Sequence, residues 1–111
     1  MEPGTTITIT RKGGRFVATF KAPSSKVIRF ASVLRAGEAL DVFGTAITAR
    51  RLIDSLFMFA RVDAFTATYN DGGWSSELKY WRDGEIREHC ANATTLPAAI
   101  MSHITYLLKG E

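Results

Sequence analysis

Cysteine, histidine and proline are scarce in this chain, and none of its apolar runs is long. Cys90 is the single cysteine, so no internal disulfide holds the fold together. His89 and His103 are the only histidines, and with one cysteine they fall short of the full ligand set of a structural zinc site. The longest apolar-looking window, Leu52 to Val62, is broken by Asp54 and Arg61. It is far from the roughly 20 apolar residues that a membrane span requires. Met1-Glu2-Pro3-Gly4 lacks the basic-then-apolar start of a secretory signal. These absences point to a cytoplasmic protein with no metal, no cofactor and no membrane contact. Gly13-Gly14 and Gly72-Gly73 match neither a Walker loop nor a dinucleotide fingerprint, since no strand–loop–helix unit contains them.

What remains is the material of an ordinary globular domain. The chain has 111 residues, 46% of them apolar and 23% charged, which is enough to bury a core without staples and too apolar for extended disorder. With no long flexible linker, it reads as one domain over 1–111.

The periodicities predict strands first. Thr5 to Thr10 alternates Thr with Ile7 and Ile9, Gly13-Gly14 forms a hairpin turn, and Phe16, Ala18 and Phe20 alternate on the return strand. Pro23 interrupts, and Lys26 to Leu34 resumes as a third strand with Ile28, Phe30 and Leu34 on one side. Val42, Phe43, Ala46, Ala49, Ile53, Leu56, Phe57 and Ala60 then recur at helical spacing. That stripe predicts a helix over about 44–60, with a start as early as 39 as the alternative, and Gly37 and Gly44 argue for a separate turn at 38–43.

The second half repeats this order. Phe65, Ala67 and Tyr69 alternate, Asn70-Asp71-Gly72-Gly73 turns, and Trp74 to Trp81 returns with Trp74, Ser76, Leu78 and Tyr80 on one face. Arg82-Asp83-Gly84 leads into a third strand over 85–90. A last helix over 95–109 has Thr94 or Thr95 as cap, Pro97 in its first turn and Gly110 at its end. The expected fold is therefore α+β, an antiparallel sheet in βββα-βββα order with both helices on one face. The likeness of 5–61 to 64–110 is one of pattern, a pseudo-repeat without shared residues.

Charge is distributed unevenly. Met1 to Arg61 holds ten Lys or Arg against four acidic residues, and Val62 to Glu111 holds four against seven. A basic first half suits an acidic partner. Arg11, Lys12, Arg15, Lys26 and Arg29 could line a basic groove, and Tyr69, Trp74, Tyr80 and Trp81 could supply stacking platforms for single-stranded bases. The element order is similar in outline to single-strand-binding folds such as the Whirly-type transcription cofactors, at the level of topology alone. The same Arg, Tyr and Trp residues are also the types that anchor protein interfaces. Two functions follow: a non-catalytic binder of single-stranded nucleic acid, or a small inhibitor of phage or mobile-element origin that binds an acidic host protein. A homodimer is compatible with both.

Catalysis finds little support. Cys90 has His89 beside it, but neighbours on a strand face opposite ways. Cys90 reads as a small core residue and His103 as a histidine on the apolar face of the last helix. Asp71 and Asp83 precede glycines, where turn chemistry accounts for them.

Overall fold

The computed structural model describes residues 2–42 and 49–110. Among these residues six strands form one antiparallel sheet: β1 (Thr6–Lys12), β2 (Arg15–Lys21), β3 (Arg29–Val33), β4 (Val62–Asn70), β5 (Gly73–Arg82) and β6 (Glu85–Ala93). Among the described residues three helices accompany them: α1 (Ala36–Val42), α2 (Arg50–Phe57) and α3 (Leu96–Leu108). The order across the sheet is β3-β2-β1-β4-β5-β6. It is built from two three-stranded meanders joined where β1 pairs with β4, Ile7 opposite Ala67 and Ile9 opposite Phe65.

The hairpins follow from local chemistry. Lys12 pairs with Arg15 across Gly13-Gly14, Asn70 with Gly73 across Asp71-Gly72, and Arg82 with Glu85 across Asp83-Gly84. In the last of these both loop residues have positive φ, Asp83 at 51° and Gly84 at 76°. That is the left-handed pair a two-residue hairpin needs, and Asp is among the few non-glycine residues that adopt it readily. In the second hairpin Gly73 is the first strand residue, so the turn itself is Asp71-Gly72.

Alternation then sorts the side chains into two faces. Ile7, Ile9, Ala18, Val33, Phe65, Ala67, Leu78 and Tyr80 are buried against Leu40, Ile53, Leu56, Phe57, Ile100, Ile104 and Leu107 of the helices. The helices therefore cover this face, and the other carries the alternate residues of every strand. Near Val62 the β4–β5 register slips by one residue, and a bulge at Asp63 absorbs the change.

Three expectations are corrected. The single helix over 44–60 is replaced by α1 and α2; positions 44–48 lie outside the described residues, and α2 ends at Phe57, leaving Ala60 exposed in a turn. Gly37, read from sequence against a helix, is inside α1. A Cβ there would lie 2.7 Å from both Arg50 Cγ and Asp54 Oδ2, so the glycine permits the close approach of α1 to α2. The Gly37 N–H in turn donates to Asp54 Oδ1 at 2.7 Å, satisfying one of the donors that a helix start leaves open. Finally, β3 begins at Arg29 rather than Lys26. Ser25 Oγ accepts from the Val27 N–H at 3.1 Å and donates to the Val27 carbonyl at 3.2 Å, holding that stretch in a local turn. The last helix agrees with expectation, with Thr95 as N-cap accepting from the Ala98 N–H at 3.2 Å.

Leu56 is fully buried at the centre of the α2 stripe. Leu56→Ala is expected to cost about 2–5 kcal/mol in denaturant unfolding. A loss below about half a kcal/mol, the size of a surface substitution, would mean that α2 presents another face to the sheet.

Candidate functional site

The register divides the nine residues expected at a binding surface between the two sheet faces. Lys12 and Arg15 are paired on the open face, where Arg15 lies across β3 and donates to Ser32 Oγ and the Ser32 carbonyl at 3.0 and 3.1 Å. Trp81 is also on that face, opposite Ile86 and 48% exposed. Lys26 is exposed in the β2–β3 connection. The other five point to the helix side. Arg29 sets its guanidinium over the Phe20 ring at 5.6 Å. Tyr69 and Trp74 form a cross-strand edge contact at 5.3 Å. Tyr80 is 2% exposed, with its hydroxyl 2.9 Å from that of Tyr106.

Arg11 is engaged in the fold. Its guanidinium donates to the carbonyls of Phe57, at 2.6 Å, Val62 and Phe59, and rests between the Phe16 and Phe57 rings. These carbonyls close the C-terminus of α2 and the turn after it, where a cation is favoured. Arg61 does the same for α3 by donating to the Leu107 carbonyl at 3.0 Å. The basic and aromatic residues thus do not converge on one groove.

A different cluster, at the β3 end of the sheet, was missed from sequence. Val27, Ile28, Phe30 and Leu34 are all more than half exposed, with Phe30 at 65%. They lie on β3 and its flanks, at the outer end of the sheet. A cavity of about 320 Å³ adjoins Leu34 and is lined also by Phe16, Arg35, Asp54, Phe57 and Met58. Between Pro3 and Gly37 the chain has seven cations and no carboxylate. Alternation did place Ile28, Phe30 and Leu34 on one side of a strand. It did not show that this side faces solvent.

A second constellation lies inside the other half. His103 on α3 is 0% exposed and stands 2.7 Å through Nε2 from Ser76 Oγ and 2.8 Å through Nδ1 from His89 Nδ1. His89 stacks on the Tyr106 ring at 3.8 Å. Ser76 Oγ also donates to the Ala91 carbonyl at 3.4 Å. One proton arrangement satisfies all three contacts: His89 donates to His103, His103 Nε2–H donates to Ser76, and Ser76 donates to Ala91. A serine–histidine contact of this length resembles an activated nucleophile. Here, however, the serine is 6% exposed and its proton is committed to the backbone. Both histidines could have been found by parity, since His89 falls on the helix-facing register of β6 opposite Leu78 and His103 lies on the apolar stripe of α3. Cys90 is exposed on the opposite face from His89, which corrects its reading as a core residue.

Among the described residues no group of three or more His, Cys, Asp or Glu is placed to hold a metal ion, and no helix is long and apolar enough to cross a membrane. No protein-family model, curated protein or solved structure matches the chain.

Burial lowers the His103 pKa from 6.5 to about 4, with the neighbouring His89 adding to the effect. The folded pKa is below the unfolded one, so the contribution to stability is complete above pH 6.5 and is lost as the pH falls toward 4. It amounts to about 3 kcal/mol. Comparing urea unfolding at pH 7 and pH 4, His103→Gln, which keeps an N–H donor but does not titrate, is expected to lose that much less stability than wild type. Equal losses would show that His103 does not carry the acid sensitivity.

Proposed function

We propose that this chain is a non-catalytic protein-binding module whose contact surface is the β3 end of the sheet. One observation carries the reading: four large apolar side chains, Val27, Ile28, Phe30 and Leu34, stand in solvent within a stretch of chain that bears only positive charge. Clustered exposed apolar residues rimmed by charge mark interaction sites. Three of the four are aliphatic and have no π-face on which a base could stack, which favours a polypeptide over single-stranded nucleic acid.

The nucleic-acid reading has its own support in the cations of residues 3–37 and in Lys12, Arg15 and Trp81 on the open face. It requires stacking rings along a basic track. Phe30 and Trp81 are instead on β3 and β5, with β2, β1 and β4 between them.

Affinity capture from a lysate of the source cells, with and without nuclease, separates the two. A protein complex that survives nuclease is expected, and Phe30→Ala is expected to weaken it by about 2 kcal/mol, the size of an interface hot spot. Phe30 is exposed, so the fold should tolerate the change. If capture disappears with nuclease, or if Lys12→Ala and Arg15→Ala weaken it while Phe30→Ala does not, the protein-binding reading fails. Steeply salt-dependent oligonucleotide binding would then take its place.

A further inference from the structure

Resting on that reading, we infer that β3 accepts an added strand: an extended, acidic segment of a partner polypeptide pairs with the outer edge of Arg29–Val33 and sets an apolar side chain into the cavity beside Leu34.

The two edges of this sheet are unlike. An outer strand presents unpaired N–H and C=O groups to any extended chain, and proteins commonly blunt such edges with charge, proline or a bulge. The β6 edge carries Glu85, Arg87 and Glu88, all exposed. On β3, among the described residues, β2 pairs on one side and no strand on the other. Arg29–Val33 has no proline, no acidic residue and no register shift against β2. Its open-face side chains are Phe30 and Ser32, with Val27, Ile28 and Leu34 exposed at either end.

Strand addition uses such an edge for affinity and side-chain pockets for specificity. The pocket is present. Phe16, Leu34, Phe57 and Met58 line the cavity past the Val33 end, with Arg35 and Asp54 as its charged lining, on the side of the sheet where α1 and α2 lie. Side chains of an added strand alternate between the two faces. One of them therefore points toward the cavity while its neighbours lie along Phe30 and the open face.

Charge identifies the occupant. Lys26 and Arg35 stand exposed at the two ends of this edge, Arg15 lies across β3, and residues 3–37 contain no carboxylate. Pairing β3 with β3 of a second copy would bring together two stretches of chain that each carry only positive charge, a repulsion that an acidic segment avoids. A segment alternating acidic and apolar residues satisfies both the cations and the exposed apolar side chains. The five residues of β3 match a segment of comparable length.

The test uses the full chain and capped, fluorescent peptides of about ten residues. One peptide alternates Val or Ile with Glu. A second replaces Glu by Lys, and a third methylates alternate backbone nitrogens of the first. Anisotropy is expected to show the Glu peptide binding at least about tenfold more tightly than either of the others. Amide hydrogen exchange is expected to slow at 27–35 and not along β6. Lys26→Glu combined with Arg35→Glu, both at exposed positions, is expected to reverse the preference toward the Lys peptide. Equal binding of the methylated peptide would overturn strand addition, and equal binding of Glu and Lys peptides would overturn the acidic partner. Protection appearing at β6, or self-association that Phe30→Ala abolishes, would likewise overturn the inference. If a nuclease-resistant, Phe30-dependent complex persists while the peptides fail, the protein-binding reading stands and strand addition alone falls.

Discussion

The β1–β4 pairing makes one sheet out of two meanders. On its helix side Ile7 meets Ala67 and Ile9 meets Phe65. On its open side the hydroxyls of Thr6 and Thr68 approach to 3.3 Å, and those of Thr66 and Thr8 to 3.4 Å. A three-stranded sheet alone has two vulnerable edges and little core. The central pairing removes one edge from each meander and puts Ile9 and Phe65 beneath the helices together. It also decides which strands remain outermost, leaving β3 and β6 as the two edges of the sheet.

Burial of only one face has a second consequence. The open face is neutral and hydroxylated at its centre, where Thr6, Thr8, Thr10, Thr66 and Thr68 stand. Its charge is pushed to the two sides. Lys12, Arg15 and Lys21 lie on the β1–β2 side, and Glu77 and Glu88 accompany Lys79 on the β5–β6 side. Charge asymmetry along the chain thus becomes charge asymmetry across the sheet, because each half of the sequence builds one side of it.

The helices are held by polar contacts as well as apolar ones, and this sorts the basic residues by task. Arg11 and Arg61 satisfy carbonyls at the ends of α2 and α3, and Asp54 satisfies an N–H at the start of α1. Beneath α3 the chain of His89, His103, Ser76 and the Ala91 carbonyl gives each buried polar atom a partner, which a low-dielectric interior demands. The cations at Lys26 and Arg35 are exposed, and they flank the apolar edge.

Much of this fold was legible locally. Dipeptide turns, period-two alternation and the capped amphipathic pattern of 96–108 depend on neighbours in sequence, and each determined its own element. The α1–α2 corner was not legible, because Gly37 is favoured there by a contact with Arg50 and Asp54 that no local rule contains. The candidate surface was half legible. Composition determined that the first half is basic, and alternation that Ile28 and Phe30 share a side. Tertiary structure alone decided that Arg11 serves α2, that Tyr80 is buried, and that Phe30 is not. Both registers of β3 offer apolar residues, Ile28 and Phe30 on one and Ala31 and Val33 on the other. Pairing decides between them: Ala31 stands opposite Ala18, whose side is covered by helices, and Phe30 stands opposite Thr19, whose side is open. A strand's own sequence specifies two faces, but only its neighbours specify which one meets water.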